Sequence, residues 1–348
     1  MKKLLLASAV AALSVSAANA APTVYGKAFL TADYVNAEID RDAPNSDIDE
    51  DTVQINSTGS KLGLKGSEAV TANTDVTYQL EYGLRVDGED RELKSRDTYL
   101  GLKNKDFGEF RVGRNFSVID YVNNIYRTEG FFDNIGASTL SADVSRTDNT
   151  ADDLINALTL SDGTRINNSI VWIAPKYNNL PLELALMYGA DESFESSDSG
   201  FGASLMYDAG TGITAGIAYD KDMSQLGDLT RGTASVDLAK FGSVPVTLGA
   251  LYQVADFDGA DKKEKGMIVS AEWALSNFAH PAVAYIQYDK TDNLGGINNF
   301  DSDQVVIGGK YSYRNNIIAH AYAGINSAET DNHDADVIAV GGGLEYLF

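Results

Sequence analysis

Apolar and polar residues alternate along most of this chain, and the alternation never lengthens into a helical period. The final residues show it plainly. Ile338, Val340, Gly342, Leu344, Tyr346 and Phe348 share one face of an extended strand, while Ala339, Gly341, Gly343 and Glu345 share the other, with Leu347 the exception. An apolar face, a small and polar opposite face and aromatic residues at one end predict a strand with lipid outside and water inside.

Earlier segments repeat the pattern. Val24, Gly26, Ala28, Leu30, Ala32 and Tyr34 oppose Lys27, Thr31 and Asp33, and an acidic loop is expected from Ile39 to Asp51. Leu62 and Leu64 alternate with Lys61 and Lys65, and Val76 through Val86 alternate with Asp75, Thr77, Gln79, Glu81 and Arg85. Leu100 and Leu102 mark a fourth strand; Phe110 and Val112, beside Arg111, mark a fifth. Between Phe116 and Arg165 the rhythm stops, and a loop this long within one unit points to function. Alternation then resumes at Ile170 and Trp172, continues through Leu182–Tyr188, Phe201–Tyr207 and Ile213–Tyr219, and runs to the C-terminal strand. The reading gives sixteen strands, each about the 9–11 residues that a tilted membrane strand needs. Short turns such as 208–212 and 314–316 alternate with longer acidic loops, as expected of a bacterial barrel with short periplasmic connections. The fold class is therefore all-β: a transmembrane antiparallel β-barrel, closed because lipid tolerates no unpaired sheet edge.

The N-terminus adds an address. Lys2 and Lys3, an apolar run from Leu4 to Val15 and Ala18-Asn19-Ala20 form a secretory signal peptide over residues 1–20, leaving a single barrel domain over 21–348. No later stretch is long and apolar enough for a transmembrane helix. The chain carries 50 acidic against 27 basic residues, a net charge of −23, which argues against nucleic acid as a partner. It has no cysteine, so disulfides and zinc–thiolate sites are excluded, and neither a metal centre nor another cofactor is legible. His280, His320 and His333 are the only histidines; no nucleophile or paired acid is legible beside them, so no enzyme is expected.

Several local sequences resemble the general diffusion porins of Gram-negative bacteria. Ser60-Lys61-Leu62-Gly63-Leu64-Lys65-Gly66 is similar to the family's second-strand motif, with lysine where arginine is usual. Tyr99 to Lys103 and Asp106 to Arg114 resemble the run before the family's constriction loop, and Asn168-Ser169-Ile170 with Pro175 resembles the strand that leaves it. The loop itself lacks the family's usual Pro-Phe-Gly-Gly tip. Phe348 resembles the family's outer-membrane assembly signal, in which Tyr346 takes part.

The resemblance implies a homotrimer of sixteen-stranded barrels in the Gram-negative outer membrane. The third outer loop, 117–164, would fold into the lumen and narrow a passive pore for small polar solutes and ions. Acids of that loop (Asp120, Glu129, Asp133 and Asp143) would then face cations on the wall, for which Lys27, Lys61, Arg85, Arg96, Arg111 and Arg114 are the candidates. Strand parity places Lys27, Lys61, Arg85 and Arg111 opposite the apolar face. The acid excess points to cation preference. Outer-membrane lipid, lipopolysaccharide and the barrel-assembly machinery are the implied partners, the last through the C-terminal strand. A substrate-specific channel and a receptor or adhesion barrel are the alternatives.

Overall fold

Alternating residues become strands throughout the computed structural model, which describes residues 21–41, 47–88, 93–126, 128–133, 160–176, 180–190, 199–224, 227–331 and 333–348. The expected signal peptide and Asp143 lie outside the described residues. Seventeen extended segments appear in chain order: β1 (Thr23–Arg41), β2 (Ile48–Ser57), β3 (Lys61–Thr71), β4 (Thr74–Gly83), β5 (Lys94–Asn104), β6 (Gly108–Phe116), β7 (Arg165–Ile173), β8 (Leu182–Gly189) and β9 (Gly200–Asp208). They continue as β10 (Ile213–Lys221), β11 (Gly227–Asp237), β12 (Val246–Phe257), β13 (Glu264–Leu275), β14 (Ala282–Asp292), β15 (Asp301–Arg314), β16 (Ile317–Glu329) and β17 (His333–Leu347).

β2 and β3 are two halves of one barrel stave. Both pair with β1, β2 from Leu30↔Ser57 to Ile39↔Ile48 and β3 from Thr23↔Lys65 to Lys27↔Lys61. At the bend between them Gly59 takes a left-handed φ of 59°, and the buried Ser60 hydroxyl accepts the Phe29 N–H that the interrupted ladder would leave unpaired. The barrel thus has sixteen staves, each antiparallel to its neighbours. It closes where β1 pairs with β17; beyond that ladder Gly26 N–H donates to the Phe348 carbonyl at 2.8 Å, and Phe348 N–H donates back at 3.1 Å. Closure leaves no sheet edge within the hydrocarbon, the condition lipid imposes.

The predicted faces hold. On β17, Val340 is 56% exposed and Leu344 57%, whereas Ala339, next to Val340 on the opposite face, is fully buried. The expected acidic loop from Ile39 to Asp51 is corrected: β1 runs on to Arg41 and β2 begins at Ile48, so most of that stretch is a hairpin. Asp40, Asp49, Glu50 and Asp51 sit in exposed strand positions, where they cost little solvation, while Val35, Ala37 and Ile39 keep the inward alternation.

The lumen face is less uniformly polar than its glycine content suggests. Val35, Ala37, Val306 and Val337 point inward, as do Leu229, Leu251, Ala255 and Ile268. Segments of the long loop cover these positions.

Candidate pore constriction

The segment after β6 enters the barrel and follows its inner wall. Ser117 starts it: its hydroxyl donates to Asp220 on β10 at 2.7 Å and accepts the Ile119 N–H, capping a short 3₁₀ turn over Val118–Tyr121. Val118 packs against Ala185, Met187 and Val171, and Ile119 and Val122 pack against Ala218, Leu229 and Ala255. Asn124 donates to Ser235 on β11 at 3.0 Å, and Ile125 lies on Leu251 and Ile268. Further on, Thr128 N–H donates to Gln287 on β14.

At Gly130 the chain turns with φ of 84°. Phe131 N–H then donates to the Tyr322 hydroxyl, which itself donates to Asp33 on β1. Phe132 fills a pocket of Val35, Ala37, Tyr285, Val306, Tyr322, Val337 and Ala339, directly over the β1–β17 seam.

The returning end is held as firmly. Leu160 rejoins Leu251 and Ile268. Ser161 gives both its N–H and its hydroxyl to Glu264 on β13 at 2.8 Å. Asp162 accepts from Arg231 on β11 at 2.6 Å, both side chains being buried. The described parts of the loop therefore lie along one side of the lumen, from β8 round to the β1–β17 seam.

Facing them, residues of β1, β3, β5, β6 and β7 are left uncovered by the described loop residues. Between these residues and the loop lies a cavity of about 650 Å³. Of the residues expected at a constriction, Lys27, Lys61, Arg96 and Arg114 line it from the wall, and Asp120, Glu129 and Asp133 from the loop. Asp162 and Arg165 also line it and were not among the candidates. Arg165, where the aperiodic stretch ends, stacks 4.4 Å from the Phe116 ring and donates to Asp97 at 2.9 Å.

Two expected wall cations lie elsewhere. Arg85 follows the end of β4, where parity no longer applies, and pairs with Asp87 at 3.2 Å. Arg111 does face inward, but three residues from Arg114 along β6, roughly 10 Å nearer the short-turn end. There it pairs with Glu109 at 3.1 Å, stacks on Tyr99 and lines a smaller recess with Tyr121 and Ile173. Parity gives a side chain's face and says nothing of its height.

The wall cations are not equivalent. Glu81 on β4 bridges Lys61 at 3.1 Å and Arg96 at 2.7 Å, and also accepts from the Tyr25 hydroxyl. Arg114 donates to the Ser95 carbonyl and to Asn167, both neutral acceptors. Lys27 lies 5.3 Å from the Phe29 ring. Neither forms an ion pair among the described residues, although Glu345 lies within electrostatic reach of Lys27 and Asp97 of Arg114, and both line the cavity.

The sequence profile of Gram-negative porins matches residues 7–333. The chain belongs to the Gram-negative porin family. This porin is 26% identical to Outer membrane protein F of Serratia marcescens over 338 residues, covering 83% of this chain and 84% of that protein. Its fold matches an anion-selective porin from Comamonas acidovorans with a TM-score of 0.68 at 18% identity, covering 95% of this chain and 100% of the other. It also matches the trimer form of OmpT of Vibrio cholerae with a TM-score of 0.59 at 13% identity, over 94% and 99% of the two chains. The porin is thus an outer-membrane barrel for passive diffusion.

Proposed function

We propose that this porin is a general diffusion pore for small hydrophilic solutes and ions, constricted where the loop faces the cationic wall, and that it prefers cations. One observation carries the reading: a single water-filled cavity has Lys27, Lys61, Arg96, Arg114 and Arg165 on one side and Asp120, Glu129, Asp133 and Asp162 on the other. Opposed charges in a narrow, low-dielectric throat orient water and polar solutes and disfavour apolar ones. Within that throat the two signs nearly balance: Glu81 and Asp97 offset three of the cations, and Arg231 and Lys310 offset Asp162 and Glu129. Selectivity then falls to charges outside it, in a chain whose overall net charge is −23. Acids crowd the long-loop end: Glu38, Asp40, Asp49, Glu50 and Asp51 on the first hairpin, and Asp334 and Asp336 on β17. They concentrate cations at the mouth.

A second reading, anion preference, is favoured by Lys27 and Arg114, which form no ion pair with a carboxylate among the described residues. Reversal potentials across a KCl gradient in planar bilayers decide between them, a cation-signed potential supporting the proposal and an anion-signed one the alternative. Block by one particular sugar or dicarboxylate would replace both with a substrate-specific channel.

We also assign residues 1–20 to a cleaved signal peptide and the working form to a homotrimer in lipopolysaccharide-containing membrane, a trimer form being known for the Vibrio cholerae protein of like fold. Tyr346 and Phe348, stacked at 5.9 Å on the outer face of the closing strand, suit recognition by the barrel-assembly machinery.

A further inference from the structure

Beside the constriction, three potential metal ligands from three different elements meet. Glu129 comes from the loop, His320 from β16 and Glu345 from β17. The His320 Nε2 atom is 3.1 Å from a Glu345 oxygen, and its Nδ1 is 3.6 Å from Oε2 of Glu129. One ligand atom from each lies within 4.8 Å of the others. We infer that Glu129, His320 and Glu345 form a site for a borderline dication of the Zn²⁺ type, which ties the constriction loop to the barrel wall. The inference goes beyond the proposed pore and does not depend on its selectivity.

The first argument is proton accounting. A neutral imidazole has one N–H, yet both ring nitrogens here face carboxylates. One facing pair therefore lacks a proton between its lone pairs unless the ring is charged. Oε2 of Glu129 is shielded from water and makes no hydrogen bond; Lys310 approaches to 3.2 Å and forms an ion pair only. A metal ion bound to imidazole and carboxylates supplies the missing positive charge at that point.

The second argument is order. The His320 side chain is 2% exposed and Glu345 9%. His320 packs against the Phe29 ring at 4.6 Å, while the ladder fixes its backbone opposite Gly343 of β17. Two of the three donors are thus positioned by barrel strands, and binding has only the Glu129 arm to settle.

The third argument is the donor set. One imidazole with two carboxylates suits zinc and its neighbours better than Mg²⁺ or Ca²⁺, which favour all-oxygen shells. Glu129 also lines the lumen cavity, which gives an entry path and room for water as a fourth ligand. Lys310 is the built-in competitor, since it shares the Glu129 carboxylate.

The test is calorimetric titration of the purified full-length porin in detergent, with ZnCl₂ and separately with MgCl₂. The site predicts one saturable Zn²⁺ per chain, with Mg²⁺ much weaker, and loss of more than about tenfold in Zn²⁺ affinity in His320→Gln. Absence of saturable Zn²⁺ uptake, or unchanged uptake in His320→Gln, overturns the site, the latter assigning the metal to the acidic rim. Should His320→Gln fail to assemble, Lys310→Met carries the test: loss of the competing ammonium raises affinity several-fold, and unchanged affinity overturns the site. Binding is read without conduction, so failure here leaves the pore proposal standing.

Discussion

Glu81 is where a single side chain does most to set the balance of the throat. Its carboxylate holds Lys61 and Arg96 together and is 3% exposed. Glu81→Gln keeps the shape and leaves two cations beside the cavity without their shared acid. Permeability should shift toward anions by a few-fold, since a charge about 10 Å from the path contributes on the order of 1 kcal/mol after screening. A reversal potential that does not move would place the selective charges elsewhere. Gly130 is the other sensitive residue. Its φ of 84° and the Tyr322 hydroxyl, which an added Cβ would meet at 2.3 Å, both require glycine. Gly130→Ala should cost about 1–2 kcal/mol locally and displace the Phe131–Phe132 tip, broadening the distribution of single-channel conductances. Burial pushes the Tyr121 phenol up to about 12, so it stays neutral at ordinary pH and adds no charge to the throat.

Among the elements, the loop is fastened at both ends to the same part of the wall. Asp162 and Arg231 form its most buried joint, and breaking one partner of such a pair costs about 3–5 kcal/mol because the other charge is left stranded. Asp162→Asn should therefore lower the temperature at which the barrel unfolds and raise open-channel noise, whereas a substitution at exposed Lys176 should do neither. This joint was not legible beforehand. Asp162 follows a run with no periodicity, and nothing in the alternation of β11 marks Arg231 as its partner. The barrel strands were legible because one face must meet lipid, which leaves a period of two in the sequence. The first hairpin was hidden for the converse reason. Above the lipid nothing demands apolar residues outside, so Asp49, Glu50 and Asp51 look like a loop although their backbone is strand. Parity puts Lys27 and Lys61 on the lumen face, since a lysine facing lipid is costly, whereas Arg96 and Arg114 became candidates only through the family resemblance. Arg111 shows the limit of that logic, being on the right face at another depth.

For the whole molecule, the proposed cation preference rests on acids at the mouth, and such charges act over about one Debye length. That length is about 10 Å at 0.1 M salt and about 3 Å at 1 M. Cation preference should accordingly be strong in dilute KCl and fade toward neutrality near 1 M. A preference that ignores salt would put its origin in the throat. Closure gives a separate prediction. Deleting Phe348 removes two backbone hydrogen bonds to Gly26 and the last outward aromatic residue, and should reduce the yield of the folded barrel measured by heat-modifiable gel mobility. The same seam carries Phe132, whose pocket exists only once Val35 and Ala37 of the first strand stand beside Val337 and Ala339 of the last. The narrow part of the pore is thus joined to the final step of building it. A chain that mis-seats its loop tip also loses packing across its two ends, so substitutions at Phe132 should weaken barrel closure as well as alter the pore.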